Sequence, residues 1–275
     1  MSDSKDTISA LENLRDFADG PIIGALVNIA NSNFGAAAMG AFAGAGAAYY
    51  LSISLSHKER KINQLLATNA AASWAISVFN HSIGYKRQLA GPVVQEFRHQ
   101  QLRYKEYEEA GGSGVFEIEF DFVTLSPPSY DTQGLSAQIA EKTGAEAKTI
   151  LASYYLHQCY DSFKVSILAR GDAISFLGSL RGTDAEKELV PRYLGLPLPD
   201  FGMDARFRDA IFGIHHQMDG VIFFSYYLAV KLSKRAQILS SSIGQNAPKP
   251  VSFTVSLEAI QGLMPSPDEF PDWDL

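Results

Sequence analysis

Two pairs of side chains have a spacing that suits chemistry: His157 with Asp161, and His215 with Asp219. In each pair an imidazole and a carboxylate lie four residues apart, which puts them on one face of a helix. If the two helices pack antiparallel with these faces inward, the four groups converge as an acid–base site or a carboxylate-oriented metal site. Two separate pairs on helix surfaces explain the same spacing, and we prefer that interpretation. We therefore predict no catalytic residue and no metal ligand.

Five arginines form a second candidate group, around the ends of two long helical stretches and the loop between them. The planar guanidinium fork matches the geometry of a phosphate group. Gathered at one end of a helix pair, the five would bind an anionic ligand such as a nucleotide or a short oligonucleotide. Ordinary surface arginines explain the same residues, and we prefer that interpretation. They are Arg170, Arg181, Arg192, Arg206 and Arg208.

Neither motifs nor composition indicate an enzyme. The chain has no GxSxG, Walker loop, HExxH, paired CxxC, kinase motif set or GxGxxG after a strand. The single cysteine, Cys159, excludes an intrachain disulfide and is compatible with a reducing compartment. The net charge of -7 argues against binding of duplex nucleic acid, which relies on clustered Lys and Arg. We predict a protein without enzymatic activity or cofactor.

Long helices have to position these groups. Apolar periodicity predicts helices over 145–180 and 205–243, joined by the Pro/Gly-rich connection 181–204. A third helix over 57–89 offers another apolar face. We expect the three to form an antiparallel bundle within a domain that spans residues 56–261.

Shorter elements complete this domain. Gly91-Pro92 is predicted to end one helix and to start another over 92–109. Strict apolar–polar alternation predicts strands at 115–125 and 251–258, which we expect to pair as a two-stranded β ribbon. Residues 262–275 are acidic and proline-rich, so we predict a disordered tail. Its aromatic residues would alternatively form a docking peptide.

Basic side chains recur around the start of the helix over 92–109 and along it. They predict a contact with an anionic ligand or with lipid headgroups, whereas a solvated charged face explains the same pattern and is the interpretation we prefer. These side chains are Lys86, Arg87, Arg98, Arg103 and Lys105.

An uncharged segment precedes all of these elements. No Asp, Glu, Lys or Arg occurs from Pro21 to Ser56, and residues 34–55 reach roughly 33 Å as a helix, enough to cross a bilayer. We predict one transmembrane helix here, with a buried Ala/Gly-rich helix of a soluble protein as the alternative. Small residues every four positions form a ridge that lets copies of the helix pack closely. The ridge residues are Ala36, Gly40, Gly44 and Ala48.

The flanks of this segment predict its orientation. Its carboxyl-terminal flank, 57–61, is basic, whereas the segment before Pro21 has five acidic residues and two basic ones. Positive charge favours the cytoplasmic side, so we expect the amino terminus outside and the carboxyl-terminal domain in the cytoplasm. The acidic leader also argues against a signal peptide. Residues 1–33 are predicted to be amphipathic and interfacial, with a pore mouth formed by Asn28, Asn31 and Asn33. A solvated linker over 21–33 explains the same residues equally.

The layout of one short span followed by a helical domain, from Phe34 to about Ile243, resembles the membrane effectors of bacterial anti-phage defence, including the Hailong-type channel protein. The resemblance rests on layout rather than on shared motifs. It implies a homo-oligomeric channel in the bacterial inner membrane, gated by a nucleotide-derived signal.

Three functions follow from this interpretation. We expect a ligand-gated pore in antiviral defence, although few polar residues are available to line it. The alternative is a membrane-anchored scaffold or sensor that conducts nothing, in which the ridge serves only to form oligomers. An anchored enzyme that uses the His/Asp faces comes third, because catalytic motifs are missing.

Overall fold

The computed structural model describes residues 33–112, 116–198, 202–256 and 258–273. These residues are mainly helical and contain one two-stranded antiparallel sheet, which confirms the predicted mainly α class. Contacts divide the chain into two units, 1–60 and 61–275, and we call the second one the helical domain. The helices are α1 (Asn33–Tyr85), α2 (Gly91–Glu109), α3 (Thr132–Lys142), α4 (Ala147–Ser179), α5 (Leu189–Leu194) and α6 (Arg206–Ile243).

Helix α1 contains the predicted span, since it covers 34–55 without interruption. Its 53 residues are rich in alanine, the strongest helix former, and include no proline. Among the described residues it begins the one helical stretch that is long and apolar enough to cross a membrane, by length and composition. The most apolar 18 consecutive residues of this stretch, which we call its apolar window, include none that is buried. The predicted interfacial segment 1–33, with Asn28 and Asn31, lies outside the described residues except for Asn33, where the helix begins.

The predicted helix break at Gly91-Pro92 is wrong. Helix α1 continues through a π-helical turn, Lys86–Ala90, directly into α2. The Gly91 N–H donates to the Lys86 carbonyl five residues back, so the turn contains one extra residue. This widening accommodates the Pro92 ring, which in a regular helix would collide with a carbonyl of the preceding turn.

The predicted long helices are confirmed as α4 and α6, which pack against each other. Tyr155 of α4 stacks on Phe224 of α6 with ring centroids 5.4 Å apart, while Ser166 further along α4 meets Gly213 earlier on α6. This reversed order makes the pair antiparallel. A Cβ added at Gly213 would lie 2.6 Å from Ser166 Oγ, so glycine permits the close approach.

Helix α3 was missed by the sequence analysis. Asp131 caps it by accepting a hydrogen bond from the Gly134 N–H at 2.8 Å. Its Ser136 hydroxyl donates to the Ser153 carbonyl of α4 at 2.8 Å. An Asp-x-x-Gly start without a long apolar run is too weak a signal for an 11-residue helix.

A two-stranded ribbon is present, but not at the predicted place. Strands β1 (Pro197–Leu198) and β2 (Gly202–Met203) pair antiparallel in the connection between α5 and α6. The described parts of the predicted strands, 116–125 and 251–256, belong to no sheet. Both predicted strands are therefore corrected to extended segments.

The backbone of the first extended segment, 116–125, is hydrogen-bonded by side chains of the helices and not by a neighbouring strand. Arg170 of α4 donates to the carbonyls of Asp121 and Val123 at 3.0 and 2.5 Å. The Tyr193 hydroxyl accepts from the Asp121 N–H at 3.2 Å, and its ring meets Phe120 edge-on. The period-two pattern thus indicates an extended chain with one apolar face. In this segment the apolar face packs against helices and not against a second strand.

The second segment is held in the same way. The side-chain amide of Asn69 in α1 accepts from the Val251 N–H and donates to the Lys249 carbonyl, both at 2.9 Å. Phe253 packs edge-on against Phe79 of α1. Asn69 interrupts the apolar stripe of α1, and its partner is this backbone.

The predicted disordered tail is ordered over its described residues, which end at 273. A capping box begins a short helical turn at Ser266. Phe270 stacks on Phe223 of α6 with centroids 3.9 Å apart, and Trp273 meets Phe224 edge-on. The aromatic residues that predicted a docking peptide dock on the chain's own helix.

We expect Gly91→Ala to destabilise the protein by about 1–3 kcal/mol, because the added Cβ would lie 2.6 Å from the Lys86 carbonyl oxygen and overpack the π-helical turn. The matched control is Gly84→Ala in the last turns of α1, where an added Cβ meets nothing within 4 Å. It should stabilise the helix by roughly 0.5–1 kcal/mol. Chemical unfolding of the detergent-solubilised full chain measures both. Equal effects of the two substitutions would contradict the assigned turn.

Candidate functional site

A buried ion pair marks the π-helical turn. Lys86 Nζ donates to Asp219 Oδ1 of α6 at 2.5 Å and to the carbonyl of Leu263 at 2.8 Å. The two side chains are only 10% and 7% exposed. One lysine thus ties the turn to α6 and to the start of the tail. Burial makes the pair costly to break, because either charge alone would be left without a partner.

His215 lies one turn before Asp219, with its Nδ1 3.6 Å from Asp219 Oδ2. Partial burial lowers the pKa of His215 below its usual value, and the positive charges of Arg98 and Lys86 lower it further. The carboxylates of Asp219 and Glu269 act in the opposite direction. The imidazole is therefore mainly neutral at pH 7 and available as a hydrogen-bond donor or acceptor.

A cleft of about 380 Å³ opens beside this ion pair, and we call it the π-turn cleft. Every ionisable residue in its lining is basic: Lys86, Arg87, Arg98 and His215. The other lining residues come from the start of α2 and from the tail; they are Gly91, Pro92, Val94, Gln95, Gly262 and Leu263. Among the described residues, no Ser, Thr, Cys, Asp or Glu side chain lines the cleft.

The sequence partly anticipated this cleft. Lys86, Arg87 and Arg98 belong to the basic side chains assigned either to an anion contact or to a solvated face. The structure brings these three together. Arg103 instead donates to the Gln100 side chain and to a carbonyl of the 116–125 segment, and Lys105 pairs with a glutamate on its own helix. His215 was singled out for a different chemistry.

The two His/Asp pairs do not converge. His157 Nε2 lies 3.4 Å from Asp161 Oδ2, and its Nδ1 lies 2.9 Å from the Thr132 hydroxyl of α3. His215 borders the π-turn cleft instead. No group of three or more His, Cys, Asp or Glu residues within the described part of the chain is arranged to hold a metal ion. The two pairs are separate, as we preferred, but the second is not a surface pair, because Asp219 is buried and binds Lys86.

Arg170 is not a ligand residue, which corrects one member of the predicted arginine group. Its side chain is 1% exposed, and its guanidinium binds the two backbone carbonyls of the 116–125 segment. An ion pair of 3.5 Å with Asp121 compensates its charge. A buried arginine of this kind organises the fold.

Three of the four remaining arginines, Arg192, Arg206 and Arg208, already bind carboxylate or backbone oxygens of the protein. Arg192 and Arg206 are brought together on one carboxylate, Asp204, at 2.8 and 2.7 Å. Arg208 binds the carboxylate of its neighbour Asp209 and the Gly195 carbonyl. Arg181 lies over the rings of two phenylalanines in the 116–125 segment. An anion at this end of the molecule would have to compete with acids already in place.

No protein-family model matches the chain, and neither a search of curated proteins nor a search of solved structures found a match.

We expect Lys86→Met to lower the free energy of unfolding by about 3–5 kcal/mol, because it leaves the Asp219 carboxylate buried without its cation. The double variant Lys86→Met/Asp219→Leu removes both charges and should recover most of that loss. Denaturant titration of the detergent-solubilised full chain is the measurement. A double variant no more stable than Lys86→Met would contradict the assigned pairing.

Proposed function

We propose that this protein is a homo-oligomeric membrane effector, a pore gated by a ligand that its helical domain binds. In the proposal α1 crosses the bacterial inner membrane once, with the amino terminus outside and the helical domain in the cytoplasm as an antiparallel bundle. The resemblance in layout to anti-phage channel effectors makes antiviral defence the biological role we propose.

One observation carries the proposal: large apolar side chains near the start of α1 face solvent. Phe42 is 80% exposed, and Tyr49 and Tyr50 are 71% and 76% exposed. No residue of the apolar window is buried within the described chain, whereas a soluble protein's core helix is mostly buried. Burying such a surface in lipid or in other subunits removes the cost of hydrating it.

The ridge on α1 supports the oligomer. Added Cβ atoms at Gly40 and Gly44 would meet nothing within 4 Å, so these two ridge positions have no partner within the described chain. In lipid, small residues at four-residue spacing let two backbones approach and gain dispersion contacts. A helix that only anchored the protein would not need the row.

The connection to a ligand runs along α1. The helix carries the apolar window near its start and residues buried in the helical domain, such as Leu65 and Phe79, nearer its end. It leads directly into the π-helical turn, and Lys86 of that turn lines the cationic cleft. π-helical turns often occur at functional sites. Binding in the cleft therefore has a continuous helical route to the apolar segment.

The alternative is a scaffold or sensor that forms oligomers without conducting. The composition of the span favours it: among described residues 37–55 the polar side chains are the serines Ser52 and Ser54 and the two tyrosine hydroxyls. A water-filled pore requires a more hydrophilic lining, so the pore would have to use exposed helix backbone or residues that precede the helix.

Flux through liposomes separates the two functions. We expect purified full-length protein in liposomes to release a trapped small ion when its ligand is present, and the release to scale with oligomer content. A candidate screen should include phosphates and nucleotides. Stable oligomers that never release ions, with or without these ligands, would support the scaffold and contradict the pore.

We expect Gly40→Leu/Gly44→Leu to abolish the oligomer, because leucine side chains would fill the row where helices approach. Gly46→Leu is the matched control: it sits about 200° around the helix from Gly44, at the same depth and in equally open space. It should leave the oligomer intact. Cross-linking in membranes followed by gel analysis measures both, and an unchanged assembly in the double variant would mean that the ridge faces lipid.

A further inference from the structure

The π-turn cleft differs from its surroundings in charge. The whole chain has 30 acidic and 23 basic residues, yet no acidic residue lines this cleft. Lys86 is paired with Asp219, as Arg192 and Arg206 are paired with Asp204, but Asp219 itself does not line the cleft. A concave surface lined by one sign of charge concentrates counter-ions. The lining of the cleft therefore suits an anion better than a cation.

The cations are held in place by the fold. Lys86 is fixed by Asp219 and by the Leu263 carbonyl, which together leave one of its three ammonium donors available. The Arg98 guanidinium lies over the Phe212 ring of α6, 5.9 Å from its centroid. His215 adds an imidazole from α6. Side chains from the π-helical turn, α2 and α6 thus reach one space.

Size and shape then restrict the ligand. A volume of about 380 Å³ is within the range of small-molecule pockets, roughly 300–1,000 Å³. Pro92, Val94 and Leu263 provide an apolar wall next to the cations. An arginine fork beside an ammonium and an imidazole is the donor set that suits a compact, multiply charged oxyanion.

We propose that the π-turn cleft binds a phosphate group, carried by a small molecule, against Arg98, His215 and the third donor of Lys86. The proposal deepens the proposed function and rests on it, because this phosphate would be the ligand that controls the effector. The tail contributes to the site, because Leu263 lines the cleft and its carbonyl accepts a hydrogen bond from Lys86. We therefore expect phosphate binding to depend on the packing of the tail against the helical domain.

Inorganic pyrophosphate is the probe, and isothermal titration of the detergent-solubilised full chain at constant ionic strength is the measurement. We expect saturable binding by the wild-type protein. Arg98→Gln should weaken it by at least about tenfold, because it removes a charge-assisted contact. The matched control, Lys105→Gln, also removes one positive charge from α2 but lies outside the cleft, and should change affinity by less than about twofold. Absent binding, or equal weakening in both variants, would overturn the proposal.

The phosphate could come from a soluble molecule or from a lipid headgroup, and lipid composition distinguishes them. The same titration is repeated in nanodiscs of zwitterionic lipid and in nanodiscs containing an anionic phospholipid. Unchanged pyrophosphate affinity supports a soluble ligand. Competition by the anionic lipid that disappears in Arg98→Gln supports a headgroup in the same site.

The liposome experiment distinguishes a failure of the proposed pore from a failure of the proposed phosphate site. Saturable binding that depends on Arg98, without ion release, would leave the phosphate site in place and overturn the pore. Ion release by a protein that binds no pyrophosphate in either lipid would overturn the phosphate site alone.

Discussion

No other part of the described chain covers the apolar surface of α1, and the proposed location and assembly of the protein both depend on this constraint. Small and aromatic side chains project on all sides of a helix that would be unstable in water as a single copy. A bilayer satisfies the helix because all its backbone hydrogen bonds are internal. Further copies would cover the glycine ridge, so the proposed membrane insertion and the proposed self-association would use the same surface.

The helical domain is organised by the opposite kind of interaction, charges held inside the fold. Lys86 joins the π-helical turn to α6 and to the tail, and Arg170 joins α4 to an extended segment. Both use backbone carbonyls as well as a carboxylate, which compensates the cost of their burial. Residues that resemble surface charges in the sequence therefore fix the positions of segments that lack regular structure.

The features that the sequence predicted correctly are those that produce a local periodic pattern. The bounds of helices α4 and α6 were predicted to within two residues, and the predicted span was correctly assigned to a helix, because 3.6-residue repeats and an uncharged run are local signals. The π-helical turn was missed, because Gly91-Pro92 normally ends a helix, whereas here the helix continues through Lys86–Ala90. The strands failed because alternation encodes an extended chain without saying whether its partner is a strand or a helix. The cleft combines residues more than 100 positions apart, which no local pattern could assemble.

The most direct test of the account is where the full-length protein goes when cells are broken without detergent. We predict that it sediments with the membranes, resists extraction by alkaline carbonate, and dissolves only in detergent, as an oligomer. Recovery from the high-speed supernatant as a stable single-copy particle would contradict the account, because the apolar face of α1 would then have found its cover within the chain itself.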